Sequence, residues 1–242
     1  MKIDSLSISV VIPVKDESAN IRGLFEDIKQ MCENHFSRYE IIIVNDGSTD
    51  GTRDVCRDLH PLKYVEFDHN YGQTAALDCG FKMASYDLVA ALDGDGQNIP
   101  GDIPKMVKYL IDNDLDVVCG WRKVRRDNPF RRLLMKMAYV LRQACLHDGI
   151  HDSGCTLKVF RREVLEGLDL VDGQHRFIPA ILINRGCKVG EVEVSHNRRK
   201  NGKSKYHSLS RIFHGLMDMY AIRKGSVKEH PSTYVVKGVS NL

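Results

Sequence analysis

Asp93, Asp95 and Gln97 stand at alternate positions directly after the apolar run Leu88 to Leu92. In an extended segment residues two apart share a face, so these three side chains would present oxygen atoms together. Oxygen ligands suit a hard cation, and Mg2+ or Mn2+ is commonly held by one or two carboxylates with substrate phosphates completing the shell. The same Asp-Gly-Asp-Gly string also reads as a polar turn, and its neighbours have to decide between the two.

Two further acidic points lie upstream. Val44-Asn45-Asp46-Gly47-Ser48-Thr49 reads as a strand end, a tight turn and a helix start, in which Asp46 can accept hydrogen bonds from a nucleobase N–H. Asp16 and Glu17 follow Ile12-Pro13-Val14-Lys15 in the same way. Ser48 or Thr49 as a plain helix cap is the competing reading of the second motif.

The elements that must position these residues are short β-rich runs alternating with helical patterns, which predicts βαβ units and a mainly parallel sheet. Strands are expected at Ile8 to Pro13, Glu40 to Asn45, Tyr64 to Asp68, Leu88 to Asp93 and Asp116 to Gly120. Ile21, Leu24, Phe25, Ile28, Met31 and Cys32 keep helical spacing, and Thr74 to Ala84 and Ile103 to Ile111 read as further helices. Ligands of such sheets gather beyond the carboxyl ends of the strands, where all three acidic points fall.

With 242 residues, 43% hydrophobic and 28% charged, the chain is long enough for one large globular domain. Its seven cysteines are dispersed and form no Cys-x-x-Cys pair, which predicts a reduced cytoplasmic chain without a disulfide framework or zinc site. No signal segment is read before Ile8, and no run approaches the roughly 18 to 20 apolar residues that cross a bilayer. Charge is unevenly spread. Residues 122 to 142 carry +7 and residues 196 to 211 carry +6, which leaves −10 for the remainder of a chain whose net charge is +3. Two basic segments on an acidic body imply an anionic partner such as a phosphate or a membrane surface. Phe130, Leu133, Leu134, Met137 and Leu141 form an apolar helical stripe in the first, and Leu209, Ile212, Phe213, Leu216 and Tyr220 repeat it behind the second. These read as amphipathic interfacial helices, with packing on the core as the alternative. Residues 223 to 242 read as a loose tail.

Taken together, Ile12 to Glu17, Val44 to Thr52 and Asp93-Gly94-Asp95 resemble the nucleotide-sugar domain of family 2 glycosyltransferases. Asn70 to Leu77, Gly120 to Lys123, Asp152 to Lys158, His175 to Pro179 and His196 to Tyr206 look like the polyprenyl-phosphate branch of that family, so the resemblance covers roughly residues 7 to 222. It implies a GT-A-type α/β fold, with residues 1 to 121 as the nucleotide-sugar half and 122 to 222 as the acceptor half. It also implies inverting transfer of one sugar, as hexosyl or N-acetylhexosaminyl transfer, from a nucleotide diphosphate sugar to a polyprenyl phosphate. Carried onto this chain, Asp95 and Gln97 would hold Mg2+ or Mn2+. Pro13, Glu17, Asp46, Gln73, Asp93 and Arg122 would bind the nucleotide sugar. Arg131, Arg132, Arg199 and Lys205 would face the acceptor phosphate, the last two also acting with Asp95 and Asp152 in catalysis.

Asp152 stays open between orienting an arginine or the sugar hydroxyls, capping a turn, and serving as general base toward a soluble or polysaccharide acceptor. Met135, Lys136 and Tyr139 depart from the family's Ser-Arg and Asn at these places. The chain turns polar at Arg223, where many members continue into transmembrane helices. The resemblance therefore implies a peripheral protein on the cytoplasmic face of a membrane, held by interfacial helices, a separate anchoring subunit or self-association. Nucleic acid is not an expected partner, because carboxylates at the strand ends repel its phosphates.

Overall fold

A computed structural model describes residues 5–123, 139–171, 173–197, 219, 222–223 and 233–242. Its centre is a sheet of β1 (Ser7–Val14), β2 (Arg38–Asn45), β3 (Lys63–Phe67), β4 (Leu88–Ala91), β5 (Val117–Trp121), β6 (Lys158–Arg161), β7 (Val189–Glu193) and β8 (Val236–Asn241). The helices are α1 (Ile21–His35), α2 (Thr52–Arg57), α3 (Gln73–Met83), α4 (Ile103–Asp112), α5 (described over residues 139–146) and α6 (Ile178–Asn184). Strand order is β7-β5-β6-β4-β1-β2-β3-β8. The strands β4, β1, β2 and β3 run parallel, as their βαβ connections require. Elsewhere the sheet is mixed: β6 runs antiparallel to β4 and β5, β7 is parallel to β5, and β8 is antiparallel to β3.

Alternation along the central strands sorts their side chains between two cores. Ile8, Val10, Ile12 and Val14 of β1 pack with α1 and α4, whose buried residues include Phe25, Ile28, Met106 and Leu110. Val11, with Ile42 and Val44 of β2, packs with α3 and α6 on the other face. Covering both faces explains why β1 reads as a continuous apolar run from Val10 to Val14 instead of an alternating one. All six residues singled out by helical spacing in α1 are buried.

Three expectations are corrected. The fourth strand ends at Ala91, and Asp93 to Gln97 form a turn with Gly96 at φ +70, so the even spacing of an extended segment does not orient these side chains. The segment read as a loose tail contributes β8, because the open edge of β3 offers backbone partners from Lys63 to Phe67. β6 and β7 lie in a stretch where no strand was expected. Most of the two amphipathic stripes lies outside the described residues. Leu141 is the one stripe residue among those described, and it is 44% exposed; Met219 and Ile222, beside the second stripe, are buried with Phe177, and Cys145 and Leu146 of α5 pack against them. No described helix is long and apolar enough to cross a membrane.

Candidate active site

The carboxyl ends of β1 and β2 are tied together before any ligand arrives. The Asp46 N–H donates to the Val14 carbonyl at 2.9 Å, and the Lys15 ammonium donates to the Gly47 carbonyl at 2.9 Å. Asp16 adopts φ +53, in the left-handed region that Asp tolerates better than most residues. Its N–H donates to Ser48 Oγ at 2.9 Å, and its carboxylate accepts from the Thr49 N–H at 2.7 Å. The Glu17 N–H donates to Thr52 Oγ1 at 2.9 Å, and the Glu17 carboxylate accepts from Asn20 at 2.7 Å. Lys15 and Asp16 thus brace the loop, and Pro13, paired with Val44 across the sheet, sits in the buried frame beneath it.

The Asp46 carboxylate is buried and accepts from the Tyr71 N–H at 2.6 Å through one oxygen and from the Gly72 N–H at 2.9 Å through the other. Burial pushes its pKa up, against the pull of those two bonds and of Lys15 and His69. Each oxygen keeps a second lone-pair direction for a ligand N–H. The loop it grips lies flat on Gly47, at φ +61, where an added Cβ would come 2.5 Å from the His69 carbonyl carbon. Gly47→Ala is therefore expected to cost about 2 kcal/mol or more through left-handed strain and backbone collision, lowering Tm by roughly 5 °C. A melting curve matching the parent protein would show that the loop has room.

Downstream of that loop, Gln73 opens α3 and donates through Nε2 to Asp93 Oδ1 at 2.6 Å. The other Asp93 oxygen accepts from Thr156 Oγ1 at 2.6 Å, and the Asp93 N–H donates to the Asn98 side chain at 3.2 Å. Burial raises the Asp93 pKa, followed by repulsion from Asp95. Asp95 is 8% exposed and folds its carboxylate over the turn to accept the Gln97 N–H at 3.0 Å. Gln97 Nε2 lies 3.4 Å from His196 Nε2, and the Asn197 N–H donates to the Gln97 carbonyl at 2.9 Å. A bridge between Asn98 and His196 completes the seam. The acidic turn is thereby fastened to the first two residues of the second basic segment.

Arg122 directly follows β5 and is clamped by Asp152: Nε donates to one carboxylate oxygen at 2.7 Å and a terminal nitrogen to the other at 2.9 Å. Both side chains are nearly buried, at 11% and 9% exposed. The loop carrying Asp152 is held in turn by Glu191, which accepts from the His151 and Asp152 N–H groups and pairs with the His151 ring at 2.8 Å. The His151 ring also stacks between Trp121 and Tyr139.

Of the residues expected from the sequence, Asp46, Gln73, Asp93, Asp95 and Gln97 are brought into one linked group through the loop 71–73, the acidic turn and α3. Arg122 and Asp152 form a pair of their own beside it, with Arg122 close enough to act on the Asp93 carboxylate. Arg131, Arg132, Arg199 and Lys205 lie outside the described residues. Thr156 and His196 are site residues that the sequence does not single out, although both lie within segments that resemble the family, Asp152 to Lys158 and His196 to Tyr206. Their partners are 63 and 99 residues away, a separation that no local pattern discloses.

The sequence description for "Glycosyl transferase family 2" matches residues 9–169, about two thirds of the chain. The chain belongs to this family. Among curated proteins it is 37% identical over 228 residues to a dodecaprenyl-phosphate galacturonate synthase of Rhizobium johnstonii, covering 91% of this chain and 67% of that protein. It is 35% identical over 204 residues to an undecaprenyl-phosphate 4-deoxy-4-formamido-L-arabinose transferase of Aeromonas hydrophila, covering 82% and 62%. The chain thus spans about two thirds of the length of these relatives. Among solved structures, a glucosyl-3-phosphoglycerate synthase of Mycobacterium tuberculosis with Mn2+ and UDP-glucose superposes with TM-score 0.71 at 18% identity, covering 93% of this chain and 81% of that one. A Pyrobaculum calidifontis mannosyltransferase with GDP-Man and Mn2+ gives 0.65 at 20% identity, covering 93% and 66%. At such identities the likeness is one of fold, and the fold is the GT-A type expected from the sequence.

Proposed function

We propose that this family 2 protein is an inverting, metal-dependent glycosyltransferase that moves one sugar from a nucleotide diphosphate sugar to a polyprenyl phosphate at a membrane surface. The observation that carries the reading is the linked set Asp46, Gln73, Asp93 and Asp95 at the carboxyl edge of the sheet, fastened through Gln97 to His196, the first residue of the second basic segment. The polyprenyl-phosphate relatives, at 37% and 35% identity, support the acceptor.

The residues present fit a divalent ion only in part. Among the described residues no group of three or more His, Cys, Asp or Glu can hold one. Asp95 and Gln97, with His196 beside them, make an incomplete oxygen-rich set that diphosphate oxygens would complete, as is usual for Mg2+. Mg2+ or Mn2+ bound there would offset the charge building on the departing nucleoside diphosphate. The chain's own residues do the rest. Asp46 and the loop it grips receive the base, Asp93 receives the ribose side, and Arg122 presents positive charge toward the diphosphate and sugar.

A polyprenyl phosphate is already anionic near neutral pH, with a second pKa of about 6. It can attack the anomeric carbon directly, and one displacement inverts that centre. It needs alignment and positive charge more than a base, and Arg131, Arg132, Arg199 and Lys205 are the proposed source of both. A base would matter for a neutral hydroxyl acceptor. The engagement of both Asp152 oxygens by Arg122 speaks against that alternative and for Asp152 as the group that orients the arginine.

The test is a melting-temperature screen of UDP- and GDP-sugars with Mn2+, followed by transfer to polyprenyl phosphate in vesicles. A ligand that favours the folded state raises Tm. At least one donor should do so only with the metal present, and labelled sugar should then appear on the lipid. Binding to anionic vesicles should also fall steeply between low and high salt, because salt screens the attraction between basic segments and anionic lipid. Metal-independent donor binding, or transfer to a soluble hydroxyl acceptor in preference to the lipid, would overturn the reading.

A further inference from the structure

The C-terminal strand does more than close the sheet. A register shift between Glu66 and Phe67 breaks the β3–β8 ladder next to the loop 68–72, and there the chain brings Tyr234 and Val235 against it. Such irregularities commonly re-aim side chains at the end of a strand. The Tyr234 ring stacks on Phe67, with centroids 5.0 Å apart and planes at 21°. Its hydroxyl donates to the buried carboxylate of Asp78 in α3 at 3.1 Å, and that carboxylate also accepts from the Leu170 N–H and pairs with Lys82. Tyr234 is therefore anchored at both its face and its tip.

The contacts continue inward. Phe67 meets the Tyr71 ring edge-on at 5.5 Å, and the Asp68 N–H donates to the Val235 carbonyl at 3.3 Å. The Tyr71 hydroxyl faces the Asp68 carboxylate and the Val235 backbone. The outer side of the loop 68–72 is thus held by the C-terminal segment. Its inner side is the one that matters for the donor: the Tyr71 and Gly72 N–H groups bind the Asp46 carboxylate, and the next residue, Gln73, binds Asp93. Without Tyr234 the loop would lose its stacked backing, while Asp46 would keep its frame on β2.

We infer that Tyr234 and Val235 position the nucleotide-binding loop, so that the C-terminal segment is a working part of the site for a nucleoside diphosphate. The inference rests on the donor reading proposed above. Calorimetric titration of UDP and GDP with Mn2+ into the full chain tests it. Tyr234→Ala should weaken binding of the preferred nucleotide about tenfold. Tyr234→Phe keeps the stack and should stay within about threefold of the parent. Val239→Ala, in β8 and away from the loop, separates fold stability from positioning: it should lower Tm slightly and leave Kd unchanged.

In turnover, Tyr234→Ala should raise KM for the donor while KM for the lipid acceptor holds. If Tyr234→Ala fails to fold, Tyr71→Phe decides, because it keeps the ring and the backbone donor to Asp46 and removes the hydroxyl that faces Val235. A Kd raised about threefold supports the inference, and a parental Kd overturns it. Parental affinity in a folded Tyr234→Ala protein, or a Val239→Ala defect equal to that of Tyr234→Ala, overturns it and leaves the donor reading standing. Failure of the parent protein to bind either nucleotide would overturn both.

Discussion

Asp95→Ala is expected to lower transfer by about three orders of magnitude, the equivalent of the several kcal/mol that a cation supplies to a departing diphosphate. The neighbouring carboxylate cannot replace it. Each Asp93 oxygen already accepts one hydrogen bond, from Gln73 or from Thr156, and what acceptor capacity remains is assigned to the ribose. The fold should tolerate the loss, because the bond that Asp95 accepts from the Gln97 N–H closes within the turn, and the Asp95 charge presses on the buried Asp93 carboxylate. Relief of that repulsion offsets the lost bond, so Tm should stay within about 3 °C of the parent. Calorimetry with UDP or GDP should show that Mn2+ no longer strengthens nucleotide binding. Substantial transfer by the variant would remove Asp95 from the metal site. Asp93→Ala makes the contrast: it frees Gln73 and Thr156 from their shared acceptor, and it should lower Tm as well as activity.

The parallel centre of the fold was legible because its strands are buried on both faces, which leaves uninterrupted apolar runs such as Val10 to Val14 and Ile41 to Val44. The buried face of α1 was legible because one helix meets one sheet face at a regular spacing. β6, β7 and β8 were not. They are short, carry charges or glycine as in Lys158–Arg161, Val189–Glu193 and Val236–Asn241, and owe their conformation to partners far along the chain. The same division runs through the site. The identities of Asp46, Asp93 and Asp95 could be read locally, but not their geometry, since the turn at Gly96 replaces the extended alternation first expected. That Asp46 is wrapped by backbone N–H groups from Tyr71 and Gly72 depends on a loop pressed onto Gly47 from another βα unit.

Arg122→Ala should be the most destabilising single change near the site. It leaves the Asp152 carboxylate, 9% exposed, without the two guanidinium bonds at 2.7 and 2.9 Å that compensate its burial. Breaking a buried pair from one side costs about 3–5 kcal/mol, which in a chain of this size is a fall in Tm of roughly 10 °C. The double replacement Arg122→Met with Asp152→Leu should recover much of the stability, because an apolar pair carries no desolvation cost, and it should recover none of the activity. Asp152→Asn removes the charge but keeps an acceptor for Arg122. If Asp152 only orients the arginine, that variant retains measurable transfer to a polyprenyl phosphate. If Asp152 is the base for a hydroxyl acceptor, it is inactive. The comparison of these variants thus separates a carboxylate that holds Arg122 in place from one that takes a proton, and the bidentate geometry favours the first.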